Sequence, residues 1–366
     1  MERAAHLDRL EAATARMREH GVEALIVGAS PDLAYLAGYA PMPMERLTAL
    51  VLTVDRPPRL VVPALERPAA AVSPAADALE IVAWTDEMDA YGPVEERLPR
   101  GGVVAVDDRL WSSHLLSLQA LDPGRRWLSG TEIVGGLRIR KDADELSALR
   151  RAAHAADEAF ADALESSFEG ATERSLATRL AGSLVDHGHT AAAFTIVGSG
   201  PNAASPHHEP GDRIMERGDA IVLDFGGVVD GYHSDVTRTA VIGEPSRELR
   251  TVHDVVAAAR TAAIGTIRPG VPIERVDQAA RSVIADAGYG DRFIHRTGHG
   301  IGLEVHEPPY AVAGDETVLE PGMTFSVEPG IYLDGRFGVR IEDIVVVTDD
   351  GVEVLNEAPR DLATVS

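Results

Sequence analysis

The chain has 366 residues, which at roughly 150 residues per domain predicts two domains, each able to bury a core, and excludes a single small module. Hydrophobic residues make up 45% and charged residues 25%, with no cysteine, so disordered, collagenous and coiled-coil architectures, disulfides and thiolate metal sites are excluded; any metal must be held by oxygen and imidazole. A formal net charge of −24 repels phosphate backbones and anionic lipid, and no Lys/Arg run offers a local exception, so neither nucleic acid nor a membrane is expected as a partner.

In chain order, the stretch from Met1 to Leu10 carries Glu2, Arg3, Asp8 and Arg9 where a signal segment would be apolar, so a cytoplasmic protein is expected. Leu7, Leu10, Ala13 and Met17 share one helical face that stops at Gly21, and a β-type run follows from Val22 to Val27. Ser30-Pro31 reads as an N-cap with proline at the first helical position, opening a short helix through Leu36. Apolar runs at Ala49–Val54, Leu60–Val62, Leu79–Trp84 and Val103–Val106, separated by Pro, Asp and Gly turns, predict a compact α/β domain over residues 1–137.

The pattern changes around Leu137-Arg138-Ile139-Arg140-Lys141, opening a second domain over residues 138–366. A long helix carries Leu146, Leu149, Ala153, Ala156 and Phe160 on one side and is expected to end at Gly170; a second, capped by Thr172, carries Leu176, Leu180 and Leu184 and stops at Gly188. Strands, helices at about Pro245–Ile267 and Ile273–Ala287, and further strands complete it. Helices and strands in separate runs predict an α+β domain, and a distant duplication of helix pairs and hairpins stays open.

The chemistry lies in this domain. Asp224 ends the apolar run Ile221-Val222-Leu223, where a buried charge is costly unless paired or bound to metal. If Asp230-Gly231 is a two-residue hairpin turn, Asp235 lies opposite Gly226 and Asp224 is its diagonal neighbour on the same face. Taken singly, Asp224 capping a turn and Asp235 pairing with Arg238 are ordinary alternatives. Glu328 and Glu342 form a similar pair: a two-residue turn at Asp334-Gly335 would set them on opposite sides and a three-residue loop centred on Gly335 directly across from each other, with exposed edge acids as the ordinary alternative. His299 stands between Gly298 and Gly300, on what reads as an exposed turn with room for a ligand, and His306 ends the next apolar strand. Four carboxylates and an imidazole form a hard donor set suited to two divalent ions.

These residues and their neighbours, Leu-Asp-Phe-Gly-Gly at Asp224, Ser-Asp-Val-Thr-Arg-Thr at Asp235, Gly-His-Gly-Ile-Gly at His299, Val-Glu-Pro-Gly at Glu328 and Arg-Ile-Glu-Asp at Glu342, resemble the creatinase-like, pita-bread metallopeptidase family, which includes methionine aminopeptidase, aminopeptidase P and prolidase. The resemblance implies a pita-bread catalytic domain preceded by a smaller α/β creatinase-type N-terminal domain. It implies that Asp224 chelates one ion, that His299 and Glu328 bind the other, and that Asp235 and Glu342 bridge them, with a shared water held as hydroxide. Mn²⁺ suits the oxygen-rich shell, and Co²⁺, Zn²⁺ or Fe²⁺ could occupy it. Glu328 would also take the nucleophile's proton, His207 and His306 match histidines beside the scissile bond, and Arg340 orients a metal-bound carboxylate. His208 and His233 read as solvent-facing, and Arg238 and Asp343 as framework residues.

Methionine aminopeptidases usually lack the N-terminal domain, so its presence favours cleavage of short proline-containing peptides before proline; relatives often form homodimers, so the resemblance also implies a homodimer. Creatinase lacks the full ligand set, so retention of all five positions points to metal-dependent hydrolysis; a small-molecule hydrolase or lyase such as an ectoine hydrolase is the outlying alternative. The reading leans to an Xaa-Pro dipeptidase, with aminopeptidase P as the alternative. A dipeptidase must neutralise its product's carboxylate, and some prolidases carry an arginine shortly after the position of His306. Here Glu307 through Glu320 contain no basic residue and Tyr310 stands in that place, leaving Arg296, Arg336 or the N-terminal domain to substitute.

Overall fold

The computed structural model describes residues 3–366, and the chain divides into two compact units, one ending at Arg138 and one starting at Ile139. Strands β1 (Ala24–Val27), β2 (Ala49–Thr53), β3 (Arg59–Pro63), β4 (Glu80–Trp84), β5 (Val103–Val106) and β6 (Arg126–Ser129) form the sheet of the first unit, in the order β4-β3-β2-β1-β5-β6. β1 and β2 are buried along their whole length, as continuous apolar runs require when both faces of a sheet are covered. The helix Pro31–Ala37 starts where predicted, but Ser30 makes no capping hydrogen bond and its buried hydroxyl has no partner. Proline at the first helical position does the work that sequence reading assigned to the serine side chain.

In the second unit the segregated helices and strands give the α+β arrangement expected. The first helix, Ala143–Leu164, opens on a capping box between Asp142 and Glu145. It stops before Gly170, which instead occupies a turn at φ 83° and donates its backbone N–H to Met215. Thr172 caps Glu173–Asp186 by accepting from the Ser175 amide. These two helices lay Phe160, Leu176, Leu180 and Leu184 on a sheet made of β7 (Ala191–Ser199), β8 (Ala220–Val229), β9 (Tyr232–His233), β10 (Val236–Ile242) and, at its edge, the chain's last strand, Ala363–Val365. A second pair, Arg247–Thr266 and Glu274–Asp286, packs Val252, Val256, Ala280 and Ile284 against Phe325, Val345 and Val347 of the other sheet. That sheet contains β11 (Gly298–Gly300), β12 (Glu307–Ala311), β13 (Thr324–Val327) and, beyond the ribbon of β14 (Gly330–Leu333) and β15 (Phe337–Arg340), β16 (Asp343–Val347). Helix, helix, then antiparallel strands thus occurs twice in the chain. Among the described residues no helix is long and apolar enough to cross a membrane.

Both hairpin registers follow from their turns. Asp230 and Gly231 sit at φ 52° and 86°, the backbone of a type I′ turn; Val229 pairs with Tyr232 and, in the same register, Asp224 with Thr237. Asp224 and Asp235 are therefore diagonal neighbours. The β14–β15 ribbon turns through Asp334, Gly335 and Arg336, with Leu333 opposite Phe337, and β13 and β16 continue that register by pairing Val327 with Asp343. Glu328 consequently faces Glu342. The two sheets meet at a bridge between Thr237 and Glu342, whose amide donates to the Thr237 carbonyl at 3.1 Å.

Candidate metal centre and active site

All eight site residues expected from the sequence, Asp224, Asp235, His299, Glu328, Glu342, Arg340, His207 and His306, line one cavity of about 640 Å³ in the second unit. Two of them arrive differently from expectation. His299 is no exposed turn residue but 3% exposed in β11, between β12 and β13. Its flanking glycines are needed for close packing: a Cβ on Gly298 would lie 1.8 Å from the Ser326 carbonyl oxygen, and one on Gly300 2.3 Å from that of Pro308. His306 does not end a strand; it sits in a bend just before β12, exposed, with its ring centroid 3.9 Å from that of His299.

The electrostatics of the cluster are one-sided. Asp235 and Glu342 are almost fully buried, and burial, reinforced by repulsion from neighbouring carboxylates, raises both well above the usual carboxylate range. Burial also pushes Glu328 up to about 7, against the pull of Arg340. His299 is held neutral, its pKa lowered to about 3 by burial and then by His306. Its Nδ1 lies 3.1 Å from the Gly300 carbonyl oxygen, which fixes the proton there and turns the Nε2 lone pair toward Glu328 Oε1 at 3.4 Å and Asp235 Oδ2 at 3.6 Å. A lone pair facing carboxylate oxygens is unfavourable unless a cation lies among them.

Among the described residues Arg340 is the guanidinium that hydrogen-bonds to the cluster. It donates to Asp224, to Thr237 Oγ1 at 3.1 Å and to the Tyr332 hydroxyl at 2.8 Å. A single guanidinium cannot balance four carboxylates, and one oxygen each of Asp224, Asp235 and Glu342 is buried with no hydrogen-bond partner. Such orphaned oxygens cost free energy unless a ligand satisfies them. Asp235, His299 and Glu342 offer donor atoms all within 4.8 Å of one another. Hard oxygens plus one imidazole fit divalent cations.

Several supporting residues carried no assignment from sequence. Thr237 donates to Glu342 Oε2 at 2.7 Å, and Ser326 to Glu328 Oε1 at 3.1 Å, fixing both carboxylates; each lies two residues from a ligand, the period that puts strand neighbours on one face. His295 is 2.8 Å from the Tyr332 hydroxyl and 2.7 Å from the Arg296 carbonyl oxygen, and burial with the Arg340 charge lowers its pKa to about 4. His208 and His233 are not solvent-facing: His208 reaches Glu173 at 2.8 Å and His233 the Gly302 carbonyl at 3.2 Å. Arg238 and Asp343 are framework residues, joined at 2.8 Å in the interior with Arg260 and Arg360 on the same carboxylate. Arg336 pairs with Glu248 at an exposed position.

Glu173 had no sequence signal because its partners lie far along the chain. Its buried carboxylate accepts from the Ser199 amide and hydroxyl, Asn202, His208 and the Gly211 amide at 2.7–3.2 Å. It thereby anchors the loop that carries His207. Burial alone would raise its pKa, but these donors hold it below the usual range. Glu173→Ala is expected to cost about 3 kcal/mol of stability, since it strands buried donors; an unchanged denaturation midpoint would show the loop to be held elsewhere.

The model of metallopeptidase family M24 matches residues 147–349, and that of the creatinase/prolidase N-terminal domain residues 9–140. A probable dipeptidase PepE of Mycobacterium tuberculosis (strain ATCC 25618 / H37Rv) is 45% identical over 361 residues, covering 98% of this chain and 96% of that one. An Xaa-Pro dipeptidase of Lactobacillus delbrueckii subsp. lactis is 35% identical over 357 residues, covering 94% and 96%. The crystal structure of dipeptidase PepE from Mycobacterium ulcerans superposes with a TM-score of 0.96 at 43% identity, covering 100% of this chain and 99% of that one. With its buried carboxylate–imidazole cluster inside a match that spans more than half its length, the chain belongs to metallopeptidase family M24.

Proposed function

We propose that this protein is a metal-dependent Xaa-Pro dipeptidase, its residues 138–366 forming the catalytic domain and residues 1–137 the N-terminal domain. The observation that carries the reading is a buried carboxylate cluster around the neutral Nε2 of His299, in which Asp224, Asp235 and Glu342 each keep one oxygen without a hydrogen-bond partner; relatives named as dipeptidases along nearly the whole chain support the substrate class. Asp224 would hold one ion, His299 and Glu328 a second, and Asp235 and Glu342 both. Divalent ions there would acidify a water and polarise the scissile carbonyl. We further propose manganese(II) as the metal, favoured by oxygen donors, the cytoplasm as the compartment, and a homodimer, the assembly common among relatives.

Glu328, steadied by Ser326, takes the proton of the attacking water at its carboxylate. His207 and His306 stand at the same cavity and donate to the carbonyl oxygen as it gains charge and to the proline nitrogen, which must be protonated to leave. Arg340 holds Asp224 in place. Phe194, Ile196 and Val305 supply an apolar wall suited to the pyrrolidine ring.

The test is hydrolysis of an Xaa-Pro dipeptide against an Xaa-Pro-Xaa tripeptide by Mn²⁺-loaded protein. The dipeptide is expected to be preferred by at least about tenfold in kcat/KM, a difference of about 1.4 kcal/mol. Preference for the tripeptide would make the protein an aminopeptidase P. Cleavage of neither by folded, loaded protein would transfer the reading to a small-molecule hydrolase or lyase.

A further inference from the structure

A dipeptidase binds a product whose carboxylate must enter a cavity already rich in carboxylates, so a cation has to receive it. Two arginines line the cavity, Arg296 and Arg340. Arg340 is consumed by Asp224, Thr237 and Tyr332. Arg296 is not: among the described residues no carboxylate lies within ion-pair distance of it. Its guanidinium carbon lies 4.4 Å from the centroid of the Tyr310 ring, with one terminal nitrogen 3.4 Å from His306 Nδ1. Stacking occupies the face of a planar guanidinium and leaves its N–H edge to grip a carboxylate through two hydrogen bonds.

The backbone beside Arg296 is pinned on both sides. His295 is fixed by Tyr332, and the Thr297 amide and hydroxyl both donate to Asp277 Oδ1, at 3.1 and 2.8 Å. Tyr310 is the cross-strand partner of His299, so the stacked cation is held beside the proposed metal centre. We infer that Arg296, seated on Tyr310, is the clamp for the substrate's C-terminal carboxylate and so sets dipeptide specificity, an inference that rests on the Xaa-Pro dipeptidase reading. The position where some prolidases carry an arginine here supplies the stacking surface, and the cation comes from the neighbouring strand end.

Arg296→Met keeps the aliphatic stem and removes the charge. In the Mn²⁺-loaded enzyme it is expected to lower kcat/KM for an Xaa-Pro dipeptide about 100-fold, chiefly through KM, and to change that for the matching Xaa-prolinamide less than about threefold. Adding Tyr310→Arg to Arg296→Met is expected to restore much of the dipeptide activity. Equal losses on both substrates, or no loss on the dipeptide, would overturn the assignment. Calorimetric binding of L-proline against L-prolinamide separates this inference from the reading beneath it. If wild-type protein cleaves no Xaa-Pro peptide yet binds proline in an Arg296-dependent way, the reading fails and the clamp stands. If wild-type protein binds proline no better than prolinamide, or Arg296→Met binds it as well, the clamp falls.

Discussion

Glu328→Ala is expected to lower turnover by about 10³-fold, within the range that a positioned general base contributes, while the chain remains folded. The carboxylate it removes lies among Asp224, Asp235 and Glu342, beside the guanidinium of Arg340, so deleting it relieves repulsion and leaves only the Ser326 hydroxyl short of an acceptor. Circular dichroism should therefore be unchanged. Glu328→Gln, measured beside it with elemental analysis, divides the loss: a variant that keeps both metal ions but not turnover locates the defect in proton transfer, and one that drops an ion locates it in ligation. Retention of more than a tenth of wild-type turnover by the alanine variant would refute the assignment of Glu328 as base.

Exhaustive chelation is expected to abolish hydrolysis, since the ions account for several kcal/mol of transition-state stabilisation, about 10³-fold in rate, and reloading should restore it. Metal removal also has a signature independent of activity. In the metal-free protein, burial and carboxylate repulsion raise Asp235 and Glu342, and burial brings Glu328 to about 7, whereas unfolded carboxyls titrate near about 4. The cluster's carboxylates therefore bind more protons in the folded state across that interval, while buried histidines such as His295 and His299 are protonated only in the unfolded chain and act the other way. The stabilising contribution is fully present below the unfolded value and is lost as pH rises through the folded one. The Tm of metal-free protein relative to that of metal-free Glu328→Gln, a difference in which the histidine contributions cancel, should rise as pH is lowered from about 8 to about 5, on the order of 5 °C. Loaded protein should lack this rise, because bound ions hold the ligands deprotonated. A metal-free Tm difference that is flat or falls over that interval would contradict an uncompensated carboxylate cluster.

The relation between Arg296 and Tyr310 bears on how such a site tolerates change. A carboxylate clamp needs a cation at one place in space, not at one place in the chain, and two neighbouring strand ends can both reach it. Tyr310 and His299 are paired across β11 and β12, and Arg296 lies three residues before His299. An aromatic face and a guanidinium exchanged between these positions preserve charge at the cavity with different local sequences.

Both carboxylate pairs were legible in the sequence up to a choice of turn, because a hairpin's turn length settles which residues face each other. Asp230-Gly231 admits a two-residue turn, and from it the diagonal relation of Asp224 and Asp235 follows by counting; Asp334-Gly335 admits two turn lengths with opposite outcomes, and the observed register is the three-residue loop that sets Glu328 across from Glu342. Helix starts at Pro31 and Thr172 were legible for the same reason, being set by residues within one turn. The remaining features depend on long-range packing. The glycines around His299 read as a turn, yet they admit the backbones of Ser326 and Pro308, residues that no local period connects to them. Glu173 and the loop of His207 come together across 26–38 residues, and the stacking of Arg296 on Tyr310 crosses between strand ends. Local chemistry writes turns and caps into the chain, whereas burial, charge balance and close approach depend on segments distant in sequence and exist only once the sheets have packed.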